Sequence, residues 1–200
     1  MTGSRQRPLR TFFALWPSPE TRAELALRAA AVAKACAGRP SRPDTLHLTL
    51  VFIGATPRER VASLQFLMDG LRFPRFALRL DRCDWWRHNG IAWAGARAAP
   101  EALVALQQAL AAGAERLGFS LDVRPYVPHL TLARDAGRSP PATTMPVLDW
   151  NVGSFVLVAS ELTLEGPHYR ILHERELGAN PAEAAGSNQT PVKPTQEESP

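Results

Sequence analysis

The tetrapeptide His47-Leu48-Thr49-Leu50 recurs letter for letter as His129-Leu130-Thr131-Leu132. This repeat constrains the fold more than any other feature of the chain. There are only five histidines in the sequence, so an identical His-centred unit written twice is not a compositional accident. The two copies fall in opposite halves of the part that has folded character. Their placement predicts two related lobes, each carrying half of one shared site.

Side chains alternate between the two faces of an extended strand. His47 and Thr49 then point one way, and Leu46, Leu48 and Leu50 the other; His129 and Thr131 separate from Leu130 and Leu132 in the same manner. The leucines are expected in the core beneath helices, and the His/Thr pairs in a groove on the opposite face. A slip of one residue would bury imidazole and hydroxyl and expose the leucines, so the register is strongly specified.

An imidazole titrates at about pH 6.5, so one of the pair can be neutral and the other protonated at working pH. That is the arrangement acid–base catalysis needs when base and acid are separate groups. Each threonine hydroxyl can donate to a non-bridging phosphate oxygen, and Arg134 can stabilise charge that develops around phosphorus. In-line displacement places the attacking and leaving oxygens on opposite sides of phosphorus, which calls for one imidazole on each side. Zinc is the rival use of two histidines. A protein zinc site takes at least three ligands, and neither tetrapeptide has a Cys, Asp or Glu in register beside its His.

The rest of the chain reads as strands and helices in alternation. Arg10 to Trp16 is an apolar, aromatic strand stopped by Pro17. Ser18 is placed as the N-cap of a helix that runs to about Ala37 and ends at Gly38. Thr45 to Ile53 is a strand stopped by Gly54, and Thr56 caps a second helix. Phe76 to Trp86 alternates as one strand, turned by Asn89-Gly90 into a return over Ile91 to Ala94. Pro100 opens a third helix, closed by Gly118. Asp135 to Pro146 is a loop, and Phe155–Ala159 and His168–Leu177 are the last two strands, joined by a turn at Glu165-Gly166-Pro167. Antiparallel sheets with helices on the outer faces, an α+β class, fit this order. Trp85, Trp86 and Trp93 are assigned to the core or lobe interface, with Trp86 also a candidate platform for a base.

The stretch from Gly178 to Pro200 has almost no large apolar residue, and a disordered tail is expected there. It holds Glu183, Glu197 and Glu198 against Lys193, so the body is two charges more basic than the formal +4 of the whole chain. A moderately basic body suits a polyanionic partner. Cys36 and Cys83 make no disulfide framework and no CxxC pair. A reduced, cytoplasmic setting is the default expectation. The apolar run before Pro17 is too short for a membrane span.

His47 to Gly54 and Arg124 to Arg134 resemble the two HxTx motifs of the 2H phosphoesterase superfamily. More narrowly they resemble the RNA 2′,3′-cyclic phosphodiesterases, also called 2′-5′ RNA ligases. Arg10 to Leu15 resembles that family's first strand, and Ser160-Glu161-Leu162 with Gly166-Pro167-His168-Tyr169 resembles its closing hairpin, so the likeness covers residues 9–177. The resemblance implies a bilobal α+β fold in which two pseudo-symmetric antiparallel sheets line a central groove. It implies hydrolysis of the 2′,3′-cyclic phosphate end of RNA, or of a cyclic nucleotide, to a 2′-phosphomonoester with no metal requirement; no cofactor is expected, and a monomer is the default expectation. By position, His47 is the proton donor to the 3′-oxygen, His129 the base, and Thr49, Thr131 and Arg134 the phosphate ligands. Tyr126-Val127 stands where the family more often has Phe-Arg, which leaves Arg124 as the substitute phosphate contact. Tyr126 is a candidate either to stack on a base at the groove edge or to pack as a structural aromatic. ATP-independent 2′-5′ ligation at the same site, and an RNA-binding module without turnover, are the alternatives.

Overall fold

The computed structural model describes residues 7–164 and 166–179. Ten strands and three α-helices follow one another as β1 (Leu9–Leu15), α1 (Pro19–Cys36), β2 (Arg39–Pro40), β3 (Leu48–Thr56), α2 (Val61–Gly70), β4 (Phe76–Leu80), β5 (Arg82–Trp86), β6 (Ile91–Gly95), α3 (Glu101–Arg116), β7 (Leu130–Arg134), β8 (Leu148–Val152), β9 (Ser154–Thr163) and β10 (Gly166–Glu176). The fold is α+β.

Two half-sheets meet at the repeat. β10, β9, β1 and β3 form one half, and β7, β6 and β5 the other, with β2 also on β7. All pairings are antiparallel. The halves join through a single residue pair, Leu48 opposite Leu130. These are the same position of the two tetrapeptides, so the copies face each other across the middle of the sheet. A separate ribbon of β4 and β8 turns Phe76, Leu78, Leu80, Leu148, Trp150 and Val152 into the core.

The helices lie against the leucine face. α1 follows β1 in the chain yet packs on β7 and β2 of the other half, while α3 packs on β3. Leu46, Leu48, Leu130 and Leu132 are wholly buried and Leu50 nearly so, as strand alternation requires. The opposite face of β1 and β9 carries a smaller apolar cluster of Phe12, Ala14, Val156 and Val158, with Trp16 and Tyr169 packed against it. That face is the floor of the groove.

Several local expectations need correction. Phe76 to Trp86 is not one strand: the chain breaks at Asp81, and β4 and β5 join different sheets. Leu148–Val152, to which the sequence pattern assigns no element, is a strand whose alternating burial matches its partner β4. Thr56 ends β3 rather than capping α2; it is buried, and its hydroxyl meets that of Thr11 at 2.7 Å. Gly54 does not stop β3. It sits within the strand at φ +84, beside a bulge. The turn between β5 and β6 spans Arg87–Gly90, with Trp86 and Ile91 as the last paired residues.

The end of α1 also differs. Ala37, not Gly38, takes the left-handed conformation, at φ 53. Gly38 is needed for a different reason: a Cβ there would lie 2.7 Å from the carbonyl oxygen of Arg134. At the other terminus, Gly178 donates its N–H to the Phe73 carbonyl and accepts from Arg75 N–H, so the ordered body reaches at least that residue. The tail expected beyond it, and Glu165 of the predicted turn, lie outside the described residues.

Candidate active site

The groove is about 630 Å³ in volume, and His47, His129, Thr49, Thr131 and Arg134 all line it. The five residues singled out from the sequence are therefore brought together.

Each imidazole is held in the same way. His47 and His129 stand at the entry to β3 and β7, one residue before each strand begins. Nδ1 of His47 lies 2.7 Å from the carbonyl oxygen of Thr45. Nδ1 of His129 lies 2.8 Å from the carbonyl oxygen of Val127. A carbonyl only accepts, so Nδ1 carries the hydrogen in both rings and Nε2 is left for a reacting group. Nε2 of His47 is 3.2 Å from Oγ1 of Thr49, which is the proximity strand alternation predicts for side chains two residues apart on one face.

The rings are packed by aromatics. Trp16 stacks on His47 with centroids 5.5 Å apart and an interplanar angle of 15°, while Phe12 at 4.9 Å and Tyr169 at 5.1 Å close the other sides. Trp86 meets His129 edge-on at 4.5 Å, and Trp93 lies at 6.3 Å. Burial pushes the pKa of His47 down to about 4, helped by the positive charges of His129 and Arg134, and the bond to Thr45 opposes this only in part. Burial also lowers His129, against the bond to Val127. Both imidazoles are neutral in the free protein at neutral pH, where the sequence alone suggests that one is protonated. The difference arises from the aromatic walls, which belong to other parts of the chain.

Arg134 lines the groove, is exposed, and has no carboxylate partner among the described residues. Arg124 does not replace the missing arginine of the motif. It is exposed, away from the groove, and its Nε bonds Asp122 Oδ2 at 2.7 Å. Tyr126 is no stacking platform either: its hydroxyl donates to the carbonyl oxygen of Thr49 at 3.3 Å, tying the approach to the second tetrapeptide to the first. Burial raises its pKa, which keeps the phenol protonated and able to donate.

Sequence reasoning missed Arg10, Arg39 and Arg42, which line the groove with Tyr169 and Phe12. Arg39 stands directly opposite Arg134 across the β2–β7 pair, where like charges repel; Asp135 compensates at 2.6 Å from Arg39 Nε. Arg42 bonds Asp44 and donates to the Pro167 carbonyl at 2.7 Å, holding the β9–β10 hairpin to the groove wall. His88 and His168 are exposed, and His173 pairs with Asp69 at 2.8 Å, away from the groove.

This arrangement offers two proton-transfer groups, two hydroxyl donors and a cationic rim around one concave site. The family model described as LigT like phosphoesterase matches the chain twice, over residues 15–93 and 95–169, so that each match contains one tetrapeptide. The chain is 37% identical over 157 residues to the RNA 2′,3′-cyclic phosphodiesterase of Escherichia coli strain K12, covering 76% of this chain and 88% of that protein. It is 34% identical over 199 residues to the protein of the same name from Thermus thermophilus, covering 88% and 98%. Among solved structures, that of E. coli LigT complexed with 3′-AMP superposes with a TM-score of 0.75 at 34% identity, over 85% of this chain and 98% of the other.

Proposed function

The chain belongs to the LigT-like phosphoesterase family, and on that premise we propose that it hydrolyses 2′,3′-cyclic phosphate ends of RNA, or the corresponding cyclic nucleotides, to 2′-phosphomonoesters. The observation that carries the proposal is the matched pair of imidazoles, each tethered at Nδ1 by the carbonyl two residues before it and each presenting Nε2 to the groove.

In the reaction, phosphorus sits between the two rings. Nε2 of His129 takes a proton from water as the water oxygen bonds to phosphorus. The bond from phosphorus to O3′ breaks, and O3′ receives a proton from Nε2 of His47. The hydroxyls of Thr49 and Thr131 donate to the non-bridging oxygens, and Arg134 balances the charge that grows on them. The cycle ends with His129 charged and His47 neutral, and proton exchange with solvent resets the site.

His47 must be charged to act as the acid, and in the free protein it is held neutral down to about pH 4. The arriving phosphate supplies the missing partner. An anion beside an imidazole favours its charged form, so the donor is loaded as substrate binds. The reaction runs without a metal, because the arginine and the two imidazoles provide the charge stabilisation and the proton transfers.

Incubation with adenosine 2′,3′-cyclic phosphate in the presence of EDTA, with the product followed by phosphorus NMR, tests the proposal. Formation of the 2′-monoester is expected. A 3′-monoester as sole product would place O2′ on the His47 side and contradict the assignment, and activity restored only by added metal would refute the metal-free reaction.

A further inference from the structure

We propose that Arg10, seated on the ring of Phe52, binds the phosphodiester one nucleotide 5′ of the reacting phosphate, so that the preferred substrate is a chain rather than a mononucleotide. This rests on the roles given above to the two imidazoles, and names what lies on the leaving-group side of the site.

In-line displacement puts O3′ on the His47 side of phosphorus, and the ribose that carries O3′ lies on that side with it. The nucleoside and the chain 5′ of it then run over the half-sheet of β10, β9, β1 and β3, while water approaches from the half that carries His129. The groove floor on that side is graded along β1. Phe12 touches His47 at 4.9 Å. Arg10 is two residues back on the same face, about 7 Å further out, in a cross-strand row with Ser160 and Tyr169.

The irregularity in the β1–β3 register between Phe13 and Ala14 delivers Phe52 to this face three residues after Thr49 rather than at even spacing. Phe52 is 41% exposed, an unusual state for phenylalanine within a sheet, and the guanidinium carbon of Arg10 lies 4.8 Å from its ring centroid. Leu162, on the rim of the same groove, is 86% exposed. An arginine laid on a ring keeps the edge of its fork available for bidentate bonding to phosphate. Arg39, Arg42 and Arg124 each have a carboxylate partner, but Arg10 has none among the described residues. Its charge is uncompensated at the distance and on the side where the next phosphate of a chain would pass, with apolar surface beside it for a base.

The test compares adenosine 2′,3′-cyclic phosphate with a diadenosine dinucleotide ending in the same cyclic phosphate, on the wild type and Arg10→Ala. The ratio of kcat/KM for the dinucleotide to that for the mononucleotide is expected to fall about tenfold in the variant, as loss of one partly solvated charge-assisted bond implies. The fall should lie in KM. The slope of log kcat/KM for the dinucleotide against log salt should become shallower by about 0.7, the value for one lost phosphate contact on a single strand. A ratio equal to that of the wild type, whether both substrates weaken together or neither does, overturns the proposal and leaves Arg10 as a cover for Phe52. Wild-type protein that turns over neither substrate would instead remove the functional reading beneath it.

Discussion

Lowering the pH should destabilise this fold through His47 by an amount that follows from its surroundings. In the unfolded chain the imidazole titrates at its ordinary 6.5, whereas burial against Trp16, Phe12 and Tyr169 takes it to about 4 in the folded protein. Between those values the unfolded chain binds a proton that the folded protein does not. Stability attributable to this residue is therefore whole above pH 6.5, declines as pH falls, and is fully lost below about 4. A displacement of that size corresponds to about 3 kcal/mol, a large share of the roughly 5–15 kcal/mol typical of a domain. Urea unfolding of the wild type and of His47→Gln at neutral pH and near pH 4 measures it. Carboxylates and His129 contribute to both proteins, so the informative quantity is the difference between the two pH dependences. The wild type should lose roughly 2–3 kcal/mol more than the variant across the window. Parallel curves would show that His47 is not desolvated by its aromatic neighbours, and the account of how the acid is loaded would fall with them.

Two further outcomes follow from the packing. Gly38→Ala places a methyl 2.7 Å from the Arg134 carbonyl and 3.2 Å from Ala136 Cα; overpacking against backbone costs about 1–3 kcal/mol, so thermal unfolding should move down by several degrees, with kcat/KM falling because the end of β7 carries Arg134. Trp16→Ala opens the stacked face of His47 to water, and the limb of the pH–rate profile that belongs to His47 should move to higher pH; an unmoved limb would assign the low ionisation to the charges of His129 and Arg134 rather than to burial.

The sequence was most informative where one face of a strand is buried and the other is not. The alternation of Leu46, Leu48 and Leu50 with His47 and Thr49 located both the core and the groove, because a period of two admits one register. The pairing of Leu48 with Leu130 is consistent with the repeat, although identical tetrapeptides alone do not say that they will be neighbours. What was illegible depended on contacts between distant segments. Nothing local to His47 announces that Trp16 and Tyr169 will enclose it. The break at Asp81, by contrast, is written in the sequence: the apolar positions are Phe76, Leu78 and Leu80 in β4 but Cys83 and Trp85 in β5, and the two adjacent polar residues Asp81 and Arg82 mark the change of phase. β8 was short and lay beside a Pro-rich loop, although Leu148, Trp150 and Val152 alternate as its burial does. Arg10 and Phe52 were invisible as a pair, since their meeting depends on bulges that periodicity cannot report. For Tyr126 the sequence leaves stacking and packing open, because a ring with a carbonyl partner and an exposed stacking ring have the same letter; the structure shows the packed one.

The central claim is that two imidazoles, one from each copy of the repeat, work on opposite sides of one phosphate. Turnover of an oligonucleotide 2′,3′-cyclic phosphate by His47→Ala and His129→Ala, with folding of each variant verified by its unfolding transition, measures this directly. Loss of a positioned acid or base costs about 10²–10⁴-fold, so each variant should fall by at least about a hundredfold in kcat, and each should lose a different limb of the pH–rate profile. Wild-type turnover in either variant would contradict the claim.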